Sequence, residues 1–436
     1  MKRIPQQVQI ERGFLQGSLQ VPPSKSLAHR AVIGAALAPG ESLVENVSFS
    51  VDIQVTVAAM EALGAQIERE PDGDGRFRLR IRGIGGRRNT PVTLDCAESG
   101  STLRFLIPLA LQFAPEVTFT GRGRLVKRPL DIYYRIFDGQ NVPWENTDGQ
   151  LPLTVRKGLS PGVFTMAGDV SSQFLTGLLY TLPLLSGDSE IRVTTPLESR
   201  GYVDLTLDSL AKSGIRVEHE EYRSFLVPGN QTFRPVSLRV EGDFSQGAFL
   251  LVAGATGGDL VLRDLSPGSL QGDRVILSIL AESGADLSRL PDGSFRIRKG
   301  RIRAFAAECS EFPDLVPVLG VLAATARGTS RLTGLERLKI KESDRLSAIY
   351  TELDRLGAKV RRGDDWLEIT GRESLPGGAR VDAWGDHRIA MSMAVAALSC
   401  EKPLELTGAD SVSKSWPDFW EDYGKLGGVY HERNLG

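Results

Sequence analysis

The chain has 436 residues, is 41% hydrophobic and 24% charged, and carries a formal net charge of -2. This composition fits a soluble globular protein of two or three domains and excludes a disordered one; the slight acidity speaks against a nucleic-acid partner, and no run of 18 apolar residues offers a membrane span. The opening stretch 1–13 lacks the apolar core of a signal peptide, and Cys96, Cys309 and Cys400 stand far apart without a CxxC pair, so a reduced, cytoplasmic protein without a metal site is expected.

In chain order, a strand around Val8–Glu11 is followed by the segment SKSLAHR at 24–30, where Ser24 is a plausible N-cap. Ala28, Val32, Ala35 and Ala36 continue it at helical spacing. A second helix opens near Asp52 and ends at Gly64, where a left-handed residue closes a helix well. The same pattern then recurs. Helix starts at SGSTLR (99–104), SSQFLT (171–176), DFSQGAF (243–249), PDLVPVL (313–319) and DHRIAMS (386–392) are each followed by a second helix, near Arg128, Tyr202, Asp273, Glu342 and Asp418. Gly139, Gly214, Gly284, Gly357 and Gly427 close these second helices, so that with Gly64 the successive spacings are 75, 75, 70, 73 and 70 residues. Each unit reads strand, helix, strand, helix, then one or two strands. Six units predict an α/β protein of two domains with three units each, the first over 21–240 and the second over 241–436.

The unusual residue clusters fall at the helix starts, where free N–H groups and the helix dipole suit phosphate or carboxylate. Lys25 sits in a first turn, where a cation is unfavourable unless an anion joins it, and Arg30 follows. Gly100 allows close approach to the backbone. Arg124, Lys127 and Arg128 precede Pro129. Ser171, Ser172 and Gln173 supply uncharged hydrogen-bonding groups, and Ser199 and Tyr202 open a later helix. The segment Lys341-Glu342-Ser343-Asp344-Arg345 reads as helical, with Lys341 and Arg345 four apart and Glu342 and Arg345 three apart on one face. The stripe behind it is Leu346, Ile349, Tyr350, Leu353 and Leu356. His387 beside Arg388 has no second ligand at metal spacing.

The ordered set PPSKSLAHRA, GSTLRFL, VKRPL, DVSSQFLTGLL, VEGDFSQGAF, LQGD, FPDLVPVL, LKIKESDRL, GDHRIAMS and SVSKSWPDF, spread over 22–419, closely resembles the 5-enolpyruvylshikimate-3-phosphate synthase family. The resemblance implies two domains, each of three βαβαββ units in an inside-out α/β barrel, with helix starts converging on an interdomain cleft. It also implies that residues 1–20 complete the 241–436 domain, so that the chain crosses between domains near Val21 and Glu241. The expected ligands are shikimate 3-phosphate and phosphoenolpyruvate, with no metal or organic cofactor and a monomeric chain. By the same resemblance, Lys25, Ser26, Arg30, Ser171, Ser172, Gln173, Ser199, Tyr202, Asp314 and Lys341 would take shikimate 3-phosphate. Lys25, Gly100, Arg128, Gln173, Glu342, Arg345, Arg388 and Lys414 would take phosphoenolpyruvate, in the region where the inhibitor glyphosate competes in this family. Asp314 would be the base toward the 5-hydroxyl, with Glu342 and Lys25 or Lys341 handling the proton at the methylene carbon. Lys25, Arg30, Arg128, Lys341, Arg345, Arg388 and Lys414 oppose roughly five negative charges on the two ligands.

The chain departs from the family's pattern at Glu98-Ser99-Gly100-Ser101, at Arg337 and at Asp138 before Gly139. Two other readings compete. The related transferase acting on a UDP-amino-sugar would show Lys-Asn where Lys25-Ser26 stands and a reactive Cys near Arg124–Arg128. A non-catalytic or RNA-processing protein on the same repeat would lose the charged set.

Overall fold

Six four-stranded sheets built to one plan account for the repeat. In the sheet of Val92–Asp95, Val117–Thr120, Gln150–Val155 and Trp144–Thr147, the first two strands run parallel and the other two pairings are antiparallel. Leu94 lies opposite Phe119, and Phe119 opposite Leu153, so one face is apolar along the register. A parallel pair needs a crossover, and the helix Gly100–Leu109 supplies it. The other five sheets repeat this scheme.

This computed structural model describes residues 4–73 and 75–433. The chain forms two compact units, one of Lys25–Val240 and one of Met1–Ser24 with Glu241–Gly436. In the first, Ser237–Arg239 returns to pair with Glu41–Ser48, so the unit closes on itself. In the second, Leu15–Gln20 pairs with Gly258–Arg263, and Gln7–Ile10 lies between Leu404–Thr407 and Tyr430–Glu432. Residues 21–24 stay with this second unit because Val21 N–H donates to Arg263 O, Ser24 N–H to Glu241 O, and Asp243 N–H to Pro22 O.

The first helix of each repeat is the buried one. Phe244–Gly257 and His387–Ala397 are buried at every residue, and Val316–Thr325 at nearly every one. Helices apolar all round belong in a core, and these three pack on one another with the sheets outside. In the Lys25–Val240 unit, helices Gly100–Leu109 and Ser172–Thr181 cross closely at Gly177, where an added Cβ would lie 2.4 Å from Arg104 O. The second helices cover the flanks.

The closing glycines take the expected left-handed form at Gly64, Gly214, Gly284, Gly357 and Gly427, with φ from 77° to 118°. Gly139 does not. The helix Asp131–Gly139 runs through it, and Asn141 at φ 51° makes the left-handed turn instead. Asn tolerates that region better than most residues.

Candidate active site

In the Lys25–Val240 unit, hydrogen bonds tie the helix starts together. Lys25 opens its helix and pairs with Asp52, Nζ to Oδ2 2.8 Å, at the start of helix Val51–Leu63. Thr56, one turn on, reaches Thr102 Oγ1 at 2.6 Å and His29 Nδ1 at 2.7 Å. Burial, then Lys25 and Arg30, hold His29 well below its ordinary pKa and so neutral. Ser99 caps the next helix, its Oγ accepting from Thr102 N–H at 3.2 Å. Ser171 caps Ser172–Thr181 through Gln173 N–H at 3.3 Å. The Gln173 amide is held at both ends: its oxygen accepts from Arg104 Nη1 at 2.8 Å and its nitrogen donates to Ser101 Oγ at 3.0 Å. Arg128 lies against Gly100, where an added Cβ would meet Arg128 Nη1 at 2.5 Å. Ser199, at φ 58°, and Tyr202 lie at the start of Arg200–Lys212.

Arg30, expected to hold a ligand, is also bonded within this unit. Its Nε donates to Thr206 Oγ1 at 2.9 Å, Nη1 to Ser26 O at 2.7 Å and Nη2 to Tyr202 O at 2.8 Å. It is only 3% exposed, and burial lowers its pKa to about 10. These bonds join the Lys25 helix to the Arg200–Lys212 helix.

In the other unit the charges cluster more densely. Arg345 is 1% exposed and meets three carboxylates: Asp386 Oδ2 at 2.8 Å from Nε, Asp314 Oδ1 at 2.8 Å from Nη1, and Glu342 Oε2 at 2.5 Å from Nη2. Burial opposes its charge, and Asp386, Glu342 and Asp314 more than restore it, so its pKa stands well above the ordinary value. Arg388 donates to Asp314 Oδ2 at 2.8 Å and to Ser245 Oγ at 2.6 Å. Lys341 Nζ lies 3.7 Å from Asp314 Oδ1. Burial works against ionisation of Asp314, but Arg388, Lys341 and Arg345 outweigh it and hold the carboxyl well below the usual range. Burial lowers Lys341 from 10.5 to about 8, against the opposing pull of Asp314. Asp273 is pushed up to about 7, chiefly by burial and then by Asp314. Lys414 Nζ donates to Gly385 O at 2.7 Å.

The helical reading of 341–345 needs correction. Glu336–Ile340 is a 3-10 turn, Asp344 is the N-cap, accepting from Ser347 N–H, and the helix begins only at Arg345. Lys341 and Glu342 therefore reach Asp314 and Arg345 from a loop, not from a helix face. Asp competes with helix backbone and favours caps. Sequence reasoning also missed Asp52, Arg104, Ser245 and Asp273. Arg104 stood inside the GSTLRFL segment and Asp273 inside LQGD, but nothing local shows that they face Gln173 and Asp314.

Six repeats with arginines, lysines and carboxylates gathered at helix starts define an enzyme for small anionic metabolites. The model of the EPSP synthase (3-phosphoshikimate 1-carboxyvinyltransferase) family matches residues 11–423, and the chain belongs to that family. It is 48% identical over 426 residues to the 3-phosphoshikimate 1-carboxyvinyltransferase of Clostridium novyi (strain NT), covering 97% of this chain and 98% of that protein. The Clostridium acetobutylicum enzyme of the same name is 46% identical over 98% of this chain and 99% of its own. Among solved structures, EPSP synthase from Acinetobacter baumannii superposes with a TM-score of 0.79 at 24% identity, over 98% of this chain and 99% of that one. The enolpyruvyl transferase NikO from Streptomyces tendae gives 0.76 at 18% identity, covering 98% and 99%. The activity is the enolpyruvyl transfer step of the shikimate pathway, toward aromatic amino acids, which decides against the UDP-sugar and non-catalytic readings. Among the described residues, no helix is long and apolar enough to cross a membrane. Among the described residues, no group of three or more His, Cys, Asp or Glu could hold a metal ion.

Proposed function

We propose that the chain moves the enolpyruvyl group of phosphoenolpyruvate to the 5-hydroxyl of shikimate 3-phosphate through the residues just described. Lys25, Ser26, Arg30, Ser171, Ser172, Gln173, Ser199 and Tyr202 take shikimate 3-phosphate, with Arg30 also bonded to the Ser26 and Tyr202 carbonyls. Asp314 and Lys341 take its ring hydroxyls. Gly100, Arg128, Gln173, Glu342, Arg345, Arg388 and Lys414 take phosphoenolpyruvate, with Lys25 reaching both ligands. Arginine forks suit phosphate and carboxylate because both present two oxygens in a plane.

The observation that carries this reading is the Arg345–Asp314–Arg388 array, with both Asp314 oxygens bound at 2.8 Å. A carboxylate so paired is a poor base. An incoming anion that neutralises Arg345 and Arg388 removes the field that depresses it, so the base strengthens as phosphoenolpyruvate binds. Asp314 then accepts the 5-hydroxyl proton while the oxygen attacks the central carbon of phosphoenolpyruvate. Glu342, with Lys341 or Lys25, delivers a proton to the methylene carbon. The tetrahedral adduct loses phosphate and a methyl proton to leave the enolpyruvyl ether. Lys341, at about 8, can carry a proton near neutral pH; the carriers act as a coupled set. No cofactor enters the scheme.

A phosphate-release assay with shikimate 3-phosphate, and with a UDP-amino-sugar as the alternative acceptor, tests the reading. Release with the UDP-sugar alone would overturn it.

A monomeric, cytoplasmic enzyme is part of the same proposal. Phe14, Val163, Leu226, Leu270, Ile340 and Val429 are the large apolar residues exposed among those described. The three cysteines are free and buried. Sedimentation equilibrium and cell fractionation check these two points.

A further inference from the structure

Helix Arg345–Arg355 holds the Asp382–Asp386 loop at two places. At its first residue, Arg345 Nε donates to Asp386 Oδ2. Seven residues on, Glu352 Oε1 accepts from the Trp384 indole N–H at 2.7 Å. Seven residues are close to two turns, so both fastenings lie on one helix face, about 10 Å apart along the axis. Glu352 is fully buried, which is costly for a carboxylate without partners; its partners are the indole and Arg355 Nη1, at 3.0 and 3.1 Å from its two oxygens.

The loop between the fastenings is bent sharply. Trp384 has φ 56°, a region that a bulky side chain enters only where its surroundings impose it. Its backbone N–H donates to Asp382 Oδ1 at 2.5 Å, and Asp382 Oδ2 accepts from Thr407 Oγ1 at 2.5 Å. Gly385 follows at φ 62° and offers its carbonyl to Lys414 Nζ. Asp386 N–H then donates to Ala383 O at 2.8 Å. The same short turn thus carries the indole that reaches Glu352, the carbonyl that holds Lys414 and the carboxylate that holds Arg345.

We infer that Trp384 and Glu352 are positioning residues for phosphoenolpyruvate: their hydrogen bond keeps Trp384 and Gly385 left-handed, and the turn these two make into Asp386 sets where Lys414 and Arg345 present their charges. Neither side chain touches substrate. The inference rests on the assignment of Arg345 and Lys414 to phosphoenolpyruvate.

Steady-state kinetics and thermal midpoints of Trp384→Phe, Glu352→Leu, their double variant, Glu352→Gln and Lys414→Met test it. Trp384→Phe keeps an aromatic ring and removes the N–H. It should raise KM for phosphoenolpyruvate about ten-fold, the scale of one buried bond to a charged group, with KM for shikimate 3-phosphate nearly unchanged. Glu352→Gln should restore most of the wild-type value, because an amide oxygen still accepts from the indole. The double variant should match Trp384→Phe and not the product of the two singles. A folded Trp384→Phe with unchanged KM for phosphoenolpyruvate, or with both KM values raised alike, overturns the inference; should Glu352→Leu not fold, Trp384→Phe against Glu352→Gln still decides. If Lys414→Met raises KM for phosphoenolpyruvate and Trp384→Phe does not, only the positioning role fails. If Lys414→Met leaves that KM unchanged, the underlying assignment falls and the inference with it.

Discussion

Replacing Gly100 by Ala should separate stability from substrate affinity. Gly100 is the first residue of its helix, behind the Ser99 cap, and its φ is not left-handed, so Ala meets no backbone penalty. Removing the freedom of Gly from the unfolded chain should stabilise the fold by about 0.4–1 kcal/mol. The new methyl group, however, would lie 2.5 Å from Arg128 Nη1, and ordinary contact begins near 3.4 Å, so the guanidinium must retreat by roughly 0.9 Å. The Gln173 oxygen, at 3.5 Å, already sits at ordinary distance and need not move. Misplacing a binding group by about 1 Å can cost on the order of 100-fold. Gly100→Ala should therefore raise KM for phosphoenolpyruvate by about ten- to a hundred-fold while the thermal midpoint holds or rises. Isothermal titration of each ligand, with a melting curve of each protein, decides the matter. An equal loss for both ligands, or none for phosphoenolpyruvate, would refute the placement of Arg128 against this glycine as the reason for it.

Asp314→Asn should bind shikimate 3-phosphate almost normally and lower kcat by at least ~100-fold, the lower range for removing a general base; turnover within a few-fold of wild type in the phosphate-release assay would exclude that role. Lys341, protonated below about 8, should give a kcat that falls as pH rises through that value, and Lys341→Arg should abolish this limb of the pH profile. Between about 8 and 10.5 the unfolded chain holds more protons at Lys341 than the folded one, so the residue makes stability rise with pH there; urea midpoints of Lys341→Met across that window should lack the contribution. Arg345→Met leaves Asp386, which is fully buried, without its cation, and should cost about 3–5 kcal/mol in urea denaturation, part of which Arg345→Met with Asp386→Asn should recover.

The fold was legible because its signals are local. A cap, a run of apolar residues and a closing glycine lie within about forty residues of one another, and six near-equal spacings reinforce each signal. The site was legible only where local signals coincide with function. Ser99, Ser171, Asp243 and Asp386 read as caps and are caps. Lys25 read as a cation in search of an anion, but its partner Asp52 comes from a different helix. Arg30 also bonds Thr206 and the Tyr202 carbonyl, which lie more than 170 positions away, so no local signal shows those contacts. Lys341 and Glu342 were placed on a helix because their spacing to Arg345 suits one; the capping strength of Asp344 decided otherwise.

The strand Gln7–Ile10 has a consequence for synthesis. It leaves the ribosome long before its two neighbours, Leu404–Thr407 and Tyr430–Glu432. The unit Lys25–Val240, in contrast, closes its own sheets once Ser237–Arg239 has emerged. At about 5–20 residues per second, roughly 10–40 s separate the moment at which that unit can fold from the moment at which Gln7–Ile10 finds both partners. For that interval an apolar-edged strand, Val8 and Ile10 included, waits in an unfinished chain beside a folded one. A nascent chain stalled before Leu404 should thus resist protease over 25–240 and be cut on both sides of it.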